Sequence, residues 1–284
     1  MLRPWIHAYS AGLSAALALG CSSSPAKTGS APAQCVAPGY QAQNTPVQID
    51  EVDAKLLDMA GAPAPNVPVQ VCGLDACFNG ASNTVGQTVV TPRSTLLRAA
   101  FKYGDGFDFA KLAALLDADA TQDLGTLTAL ALPSYAEGAA FPESGTVTNG
   151  DVTLILASGA RVSHDLLSYT DDSELVFRSV PIPLAGSARA LDPSLGFELG
   201  YAFSPVSTTF CPPAGVSVKN SLGWPASTAV EVFVQGLEVD EKWAPYAGWL
   251  KVADATVSSD GSTIETTSGG IPILSSIALR RSQP

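Results

Sequence analysis

The sequence predicts a mainly β protein. Two antiparallel β-sandwich domains with one short inserted helix follow a leader and a flexible linker. Three observations carry that prediction. Short runs alternate apolar and polar residues with the period of a half-buried strand, as in Val67-Pro68-Val69-Gln70-Val71-Cys72. The 25 Gly and 21 Pro residues punctuate those runs with turn signals. Helical periods are almost absent from the chain.

Composition narrows the function classes. Charged residues make up only 14% of the chain, which argues against a coiled coil or a long charged disordered segment. Asp and Glu outnumber Lys and Arg by 26 to 15, for a formal charge of −11. Nucleic acid needs clustered cations, so no nucleic-acid partner is expected. With 284 residues the chain is long enough for one or two domains with buried cores.

Residues 1–20 have the chemistry of an export signal. Arg3 gives a basic start, residues 8–20 are apolar and small, and the stretch ends in Ala18-Leu19-Gly20-Cys21. A spanning helix needs ~20 apolar residues, so this run is too short to be one. No other stretch of the chain is apolar enough to span a membrane. The Ala-Leu-Gly-Cys ending resembles the lipobox of bacterial lipoproteins, although Ala18 stands where that family more often has Leu. The resemblance implies that Cys21 becomes the first mature residue and is acylated. The lipid bilayer is then a partner through Cys21. Ser22, in place of the Asp that retains such proteins at the inner membrane, implies an outer-membrane location. An ordinary secretory signal is the alternative. Cleavage leaves 14 basic against 26 acidic side chains, or −12.

Residues 21–45 are rich in Ser, Pro, Gly and Ala, the chemistry of a linker. Residues 46–133 form the first predicted sandwich. Alternation over 47–57 and 67–72 flanks a turn at Gly61-Ala62-Pro63-Ala64-Pro65-Asn66. Further strands are expected at 87–90 and 124–133. Phe109, Leu112, Ala113 and Leu116 fall at helical spacing, so a short helix is expected over 108–116, capped by Asp105 or Asp108. Gly61, Val67-Pro68-Val69 and Thr84-Val85-Gly86-Gln87 are similar to carboxypeptidase regulatory-like domains. That resemblance implies a transthyretin-like sandwich that stabilises or binds without chemistry of its own.

Residues 134–146 are the expected inter-domain linker and 147–284 the second sandwich. Strands are expected at 151–156, 175–180, 197–203, 216–218, 228–234, 249–252 and 273–279. Phe210-Cys211-Pro212-Pro213, Gly223-Trp224-Pro225, Trp243 and Asp260-Gly261 follow one another as in ZU5-type β-sandwich domains. Some relatives of that family cleave themselves at a His-Phe-Ser step. The tripeptide is missing here, so no autoproteolysis is implied.

With Cys21 acylated, Cys35, Cys72, Cys77 and Cys211 remain, and an exported chain favours two disulfides in one of three connectivities. A hairpin across Cys72-Gly73-Leu74-Asp75-Ala76-Cys77 favours Cys72 with Cys77, which leaves Cys35 for Cys211. Free buried thiols are the alternative. A zinc site lacks both a CxxC pair and a second mature histidine.

Catalytic readings find little support. Leu115-Leu116-Asp117-Ala118-Asp119-Ala120-Thr121 resembles the haloacid-dehalogenase phosphatase motif, but that motif needs a doubly wound α/β scaffold. Asp117, Asp119 and Asp123 also have the opening spacing of a calcium loop, with Gln122 and Thr128 where Gly and Glu belong. A looser Ca²⁺ site with Asp105 and Asp108 is the remaining metal reading, and no cofactor is otherwise expected. A serine triad would have to use His164, without a Gly-x-Ser-x-Gly elbow. Trp224, Trp243, Tyr246 and Trp249 cluster near turns and are candidates for a glycan platform, with a role in the core as the alternative. The expectation is a lipid-anchored envelope protein with a non-catalytic binding or structural role toward a protein or glycan. The alternatives are a calcium- or carbohydrate-binding adhesin module and an envelope hydrolase with an unrecognised site.

Overall fold

Glu51–Leu57 is the central strand of a three-stranded sheet, with Gln87–Val90 antiparallel on one side and Thr121–Thr128 parallel on the other. Alternation fixes its orientation. Val52, Ala54 and Leu56 are buried, while Glu51, Asp53 and Lys55 face outward. The buried set packs on a four-stranded sheet ordered Cys77–Ala81, Pro68–Cys72, Ala100–Tyr103 and Leu112–Leu115. Pro46–Ile49 and Ser94–Leu97 form a separate two-stranded ribbon. A computed structural model of the chain describes residues 35–40 and 45–283. Residues 1–20, predicted as a leader, and Cys21 and Ser22 lie outside these described residues. Strand occupies 49% of the described residues and helix 7%, which settles the class as mainly β.

The turn into Gln87–Val90 requires glycine. Gly86 sits at φ +78, and a Cβ there would come within 2.3 Å of the Leu56 carbonyl oxygen. The Asn83 carboxamide oxygen holds the same turn by accepting the N–H groups of Val85 and Gln87, each at 3.0 Å.

The helix expected over 108–116 is a strand, Leu112–Leu115, preceded by a tight loop. Its apolar period is misleading because both faces of the strand are covered. Leu112 and Leu116 enter the first core, while Ala113 faces the second sandwich in a smaller cluster with Cys72, Ala100 and Tyr246. Such a strand reads as a continuous apolar run and coincides with helical spacing. Asp105 caps no helix. Its carboxylate accepts the N–H groups of Phe107, Asp108 and Phe109 at 2.8, 3.0 and 3.1 Å and closes a turn. The short helix lies instead at Ala188–Leu191.

The second half is built on a twelve-stranded sheet that wraps around its own core. Its main path runs Ala139–Ala140, Val176–Pro181, Leu199–Ser204, Ile277–Arg281, Ala229–Gln235, Trp249–Val257, Thr263–Gly269, Thr209–Lys219, Val152–Leu156 and Gly145–Asn149. Thr209–Lys219, 11 residues long, closes the wrap. One end pairs with Val152–Leu156 and Thr263–Gly269, and the other with Arg161–Ser163 and Ile271–Ile273 across a shift of register. The stretch after Ser134 holds a turn, Tyr135–Glu137, and the strand Ala139–Ala140, which pairs with Phe177 and Val176.

The two halves share packing. Val180, Ile182, Ala190, Leu191, Ala202 and Ala278 from the second half join the first half's core. Polar bonds fix the register of this contact. Gln235 is 1% exposed, and its carboxamide clasps the free edge of Leu112–Leu115. Oε1 accepts Ala113 N–H at 3.3 Å, and Nε2 donates to the carbonyls of Ala113 at 2.7 Å and Ala190 at 2.9 Å. Nearby, the Tyr169 hydroxyl accepts Val206 N–H at 2.8 Å and donates to Gly106 C=O at 3.1 Å. Arg178, 2% exposed, donates to Pro133 C=O and Ser204 Oγ, each at 3.0 Å, and stacks 3.9 Å from the Tyr135 ring. Replacing Gln235 by Leu strands the buried N–H and C=O of Ala113, while Ala190 C=O keeps the Trp249 indole N–H. Urea unfolding of Gln235→Leu should show a loss of about 2–4 kcal/mol, since each unsatisfied buried group costs ~1–3.

Candidate functional site

The four aromatic candidates do not form one platform. Trp224 is 7% exposed in the second core, with its backbone held by Asn220. Tyr246 is fully buried between the halves, where its hydroxyl reaches the Cys72 carbonyl at 3.4 Å. Trp249 lies edge-on to Phe197 at 5.0 Å and donates its indole N–H to Ala190 C=O at 2.9 Å. These three rings fill space, and Tyr246 and Trp249 also satisfy buried carbonyls, as amphipathic aromatics do in sandwich cores. Trp243, half-buried like Trp249, is the one of the four that lies on the wall of an open cleft.

The acidic triplet is dispersed as well. The Asp117 carboxylate pairs with Arg189 at 3.0 Å. Asp123 turns to its own loop and accepts Gly125 N–H at 2.7 Å. Asp119 is exposed between them. The centre of the loop is filled by the Gln122 carboxamide, which bonds the backbone of Asp117 and Asp119 at 2.8–3.0 Å. A neutral amide thus takes the place where an ion's ligands would converge. Among the described residues no group of three or more His, Cys, Asp and Glu side chains could hold a metal ion.

Both disulfides are present. Cys72 and Cys77 face each other across the hairpin, with Cα atoms 4.0 Å apart. Cys35–Cys211 joins residues 176 apart in sequence. It fastens the segment ahead of the first sandwich to Thr209–Lys219 of the second. The segment after Cys35 continues the attachment, with Gly39 N–H donating to Lys242 C=O at 3.1 Å and Tyr40 N–H to Glu241 C=O at 2.9 Å.

The cleft that Trp243 lines holds about 370 Å³, within the size range of ligand sites. Val206 and Leu237 form part of its floor and also belong to the apolar cluster between the halves. Leu167, 95% exposed, stands on its rim. Asp165, Glu238, Asp240 and Glu241 also line it, against the single cation Lys242. Asp240 pairs with Lys242 at 2.7 Å, and Glu241 is engaged by Arg98 at 3.6 Å and by Tyr246 N–H at 2.7 Å. Glu238 accepts a short bond from Ser207, and Asp165 accepts Ser168 Oγ at 2.7 Å. Ser207 and Glu241 are held at φ +66 and +49, conformations that non-glycine residues adopt at a cost and that cluster at functional sites.

Apart from Trp243, none of these residues stands out in the sequence reading. The available signal is the Leu166-Leu167 pair in the polar stretch Ser163-His164-Asp165, since two exposed leucines beside a carboxylate suit a recognition rim. His164 sits beside the cleft. Its Nδ1 lies 3.0 Å from Thr208 Oγ1, and burial holds its pKa below the usual imidazole value. Thr208 is fully buried and the Asp165 carboxylate bonds its own turn, so the three side chains are not in triad geometry. No protein-family model matches this chain, and no curated protein matches it.

Behind the cleft, Lys102 is 8% exposed, with Nζ 4.7 Å from the centroid of the Tyr246 ring. Burial, reinforced by Lys111 and opposed by Glu238, lowers its pKa to about 8. The folded state therefore releases this proton more readily than the unfolded chain. Burial of the charge opposes folding at neutral pH, and that penalty fades as pH rises from about 8 toward 10.5. Lys102→Met should be more stable than the parent by roughly 1–3 kcal/mol at pH 7, the advantage shrinking by pH 10. Denaturant unfolding of both proteins at the two pH values measures the difference.

Proposed function

We propose that this protein is a bacterial outer-membrane lipoprotein whose β-sandwich body is a non-catalytic binding or structural unit of the cell envelope. Acylated Cys21 supplies the anchor and residues 22–34 the tether. The first sandwich serves as a carboxypeptidase regulatory-like module and the second as a ZU5-like one. The observation that carries the reading is the Cys35–Cys211 disulfide. A cross-link between the tether's end and the body suits an oxidising compartment, where such bonds persist. Acyl chains add ~0.8 kcal/mol per buried methylene, so several chains on one cysteine make a lasting anchor. The body's acidic excess disfavours close contact with anionic headgroups and keeps it solvated.

Cys21→Ala should abolish incorporation of radiolabelled palmitate and release the protein from the membrane fraction. Denatured native protein should titrate with no free thiol. A tryptic map without reductant should contain a peptide pair joined through Cys35 and Cys211, and this pair should resolve only on reduction.

A further inference from the structure

The binding role proposed above leaves the ligand open, and the cleft beside Trp243 narrows it. Its floor is apolar, with Val206, Leu237 and Leu274 among the lining side chains. Its walls carry the carboxylates of Asp165, Glu238 and Asp240, the buried Glu241 engaged by Arg98, and the Lys242 ammonium group. Two of those carboxylates, Asp165 and Glu238, are in no ion pair among the described residues. Each is held by neutral donors that fix its position, and although Glu238 lies in the field of Lys102 and Lys242, no cation of the described residues comes within ion-pair distance of either carboxylate. Leu167 projects from the same rim almost wholly exposed, which offers apolar area at an edge that solvent would otherwise cover. An apolar floor inside a ring of negative charge is complementary to a chain that alternates aliphatic side chains with Lys or Arg. Aliphatic groups fill the floor, basic head groups reach Asp165 and Glu238, and the long stems of the basic residues cover Leu167 and Trp243.

We infer that the cleft lined by Trp243, Glu238 and Asp165 binds a short basic, apolar segment of a partner protein. This inference rests on the proposed binding role and adds its site and partner chemistry. The full-length lipidated protein, purified in detergent with 5-fluorotryptophan incorporated, allows a direct test by ¹⁹F NMR. Trp243→Phe assigns the cleft resonance. Titration with an acetylated, amidated Leu-Lys-Leu-Arg peptide should move the Trp243 signal saturably and leave those of Trp224 and Trp249 in place. Glu238→Gln and Asp165→Asn should each weaken binding by about fivefold, the scale of one exposed charge contact, and added salt should weaken it further. Asp165→Asn keeps the inference testable if Glu238→Gln disturbs the Ser207 turn.

A Trp243 signal that stays in place up to millimolar peptide overturns the inference, as does equal binding of a Leu-Glu-Leu-Gln peptide. Unchanged affinity in both variants overturns it too. Equal affinity for spermidine replaces the peptide with a simple organic cation and equally rejects it. Palmitate labelling of the same preparation separates the two levels: a labelled protein with a silent cleft refutes this ligand and leaves the envelope reading standing.

Discussion

The structure depends on how one strand edge is covered. Leu112–Leu115 ends the four-stranded sheet of the first half, and its outer N–H and C=O groups have no further strand to meet. An uncovered edge invites pairing with another chain. Here the Gln235 side chain supplies a donor and an acceptor in the positions a neighbouring strand would offer. The same amide reaches Ala190, so one buried residue joins an edge strand, the short helix and the second sandwich. The apolar cluster around Tyr246 and Cys72 then excludes water from these bonds. Polar specificity and apolar burial are combined at this contact, because a buried amide is tolerated only when its bonds are met.

That contact also shapes the cleft. Its floor residues Val206 and Leu237 are the outer members of the cluster that holds the halves together. Gln235, Gly236 and Leu237 lie together on the cleft wall, so the residue that clasps the edge strand is separated by one position from a residue of the floor. The cleft is therefore set by the docking of rigid sheets, and its rim by loops between them. Lys102 and Tyr246 lie behind it as a buried cation and ring, which places positive charge beneath a negative rim.

Much of the fold is legible in the sequence because a sandwich writes its pattern locally. The alternation of Val67 to Cys72 marks a strand with one buried face, and the spacing of Cys72 and Cys77 marks a hairpin. Legibility fails where a strand is covered on both sides. Leu112 to Leu116 shows no alternation, because Ala113 meets the second sandwich as Leu112 meets the first core, and the run mimics a helix. The strand Thr209–Lys219 is equally hard to see, since two prolines interrupt it and its partners change partway along. At the site, composition alone cannot separate Trp243 from Trp224, Tyr246 and Trp249. All four are aromatic residues near turns, and only tertiary packing decides which ring stays open. The carboxylates beside Trp243 are hidden for a simpler reason: an acidic chain offers many carboxylates, and convergence is a property of the fold.

The Cys35–Cys211 bond encloses the whole of the first sandwich in a covalent ring, because residues 46–133 lie between its two ends. A pull on the chain ahead of Cys35 therefore crosses directly to Thr209–Lys219. Tension runs through the second sandwich toward the carboxyl terminus and bypasses the first. Residues 46–133 are mechanically unloaded while the bond is intact. Reduction would place them in series with the load, so the thiol state decides whether the first half shares the force.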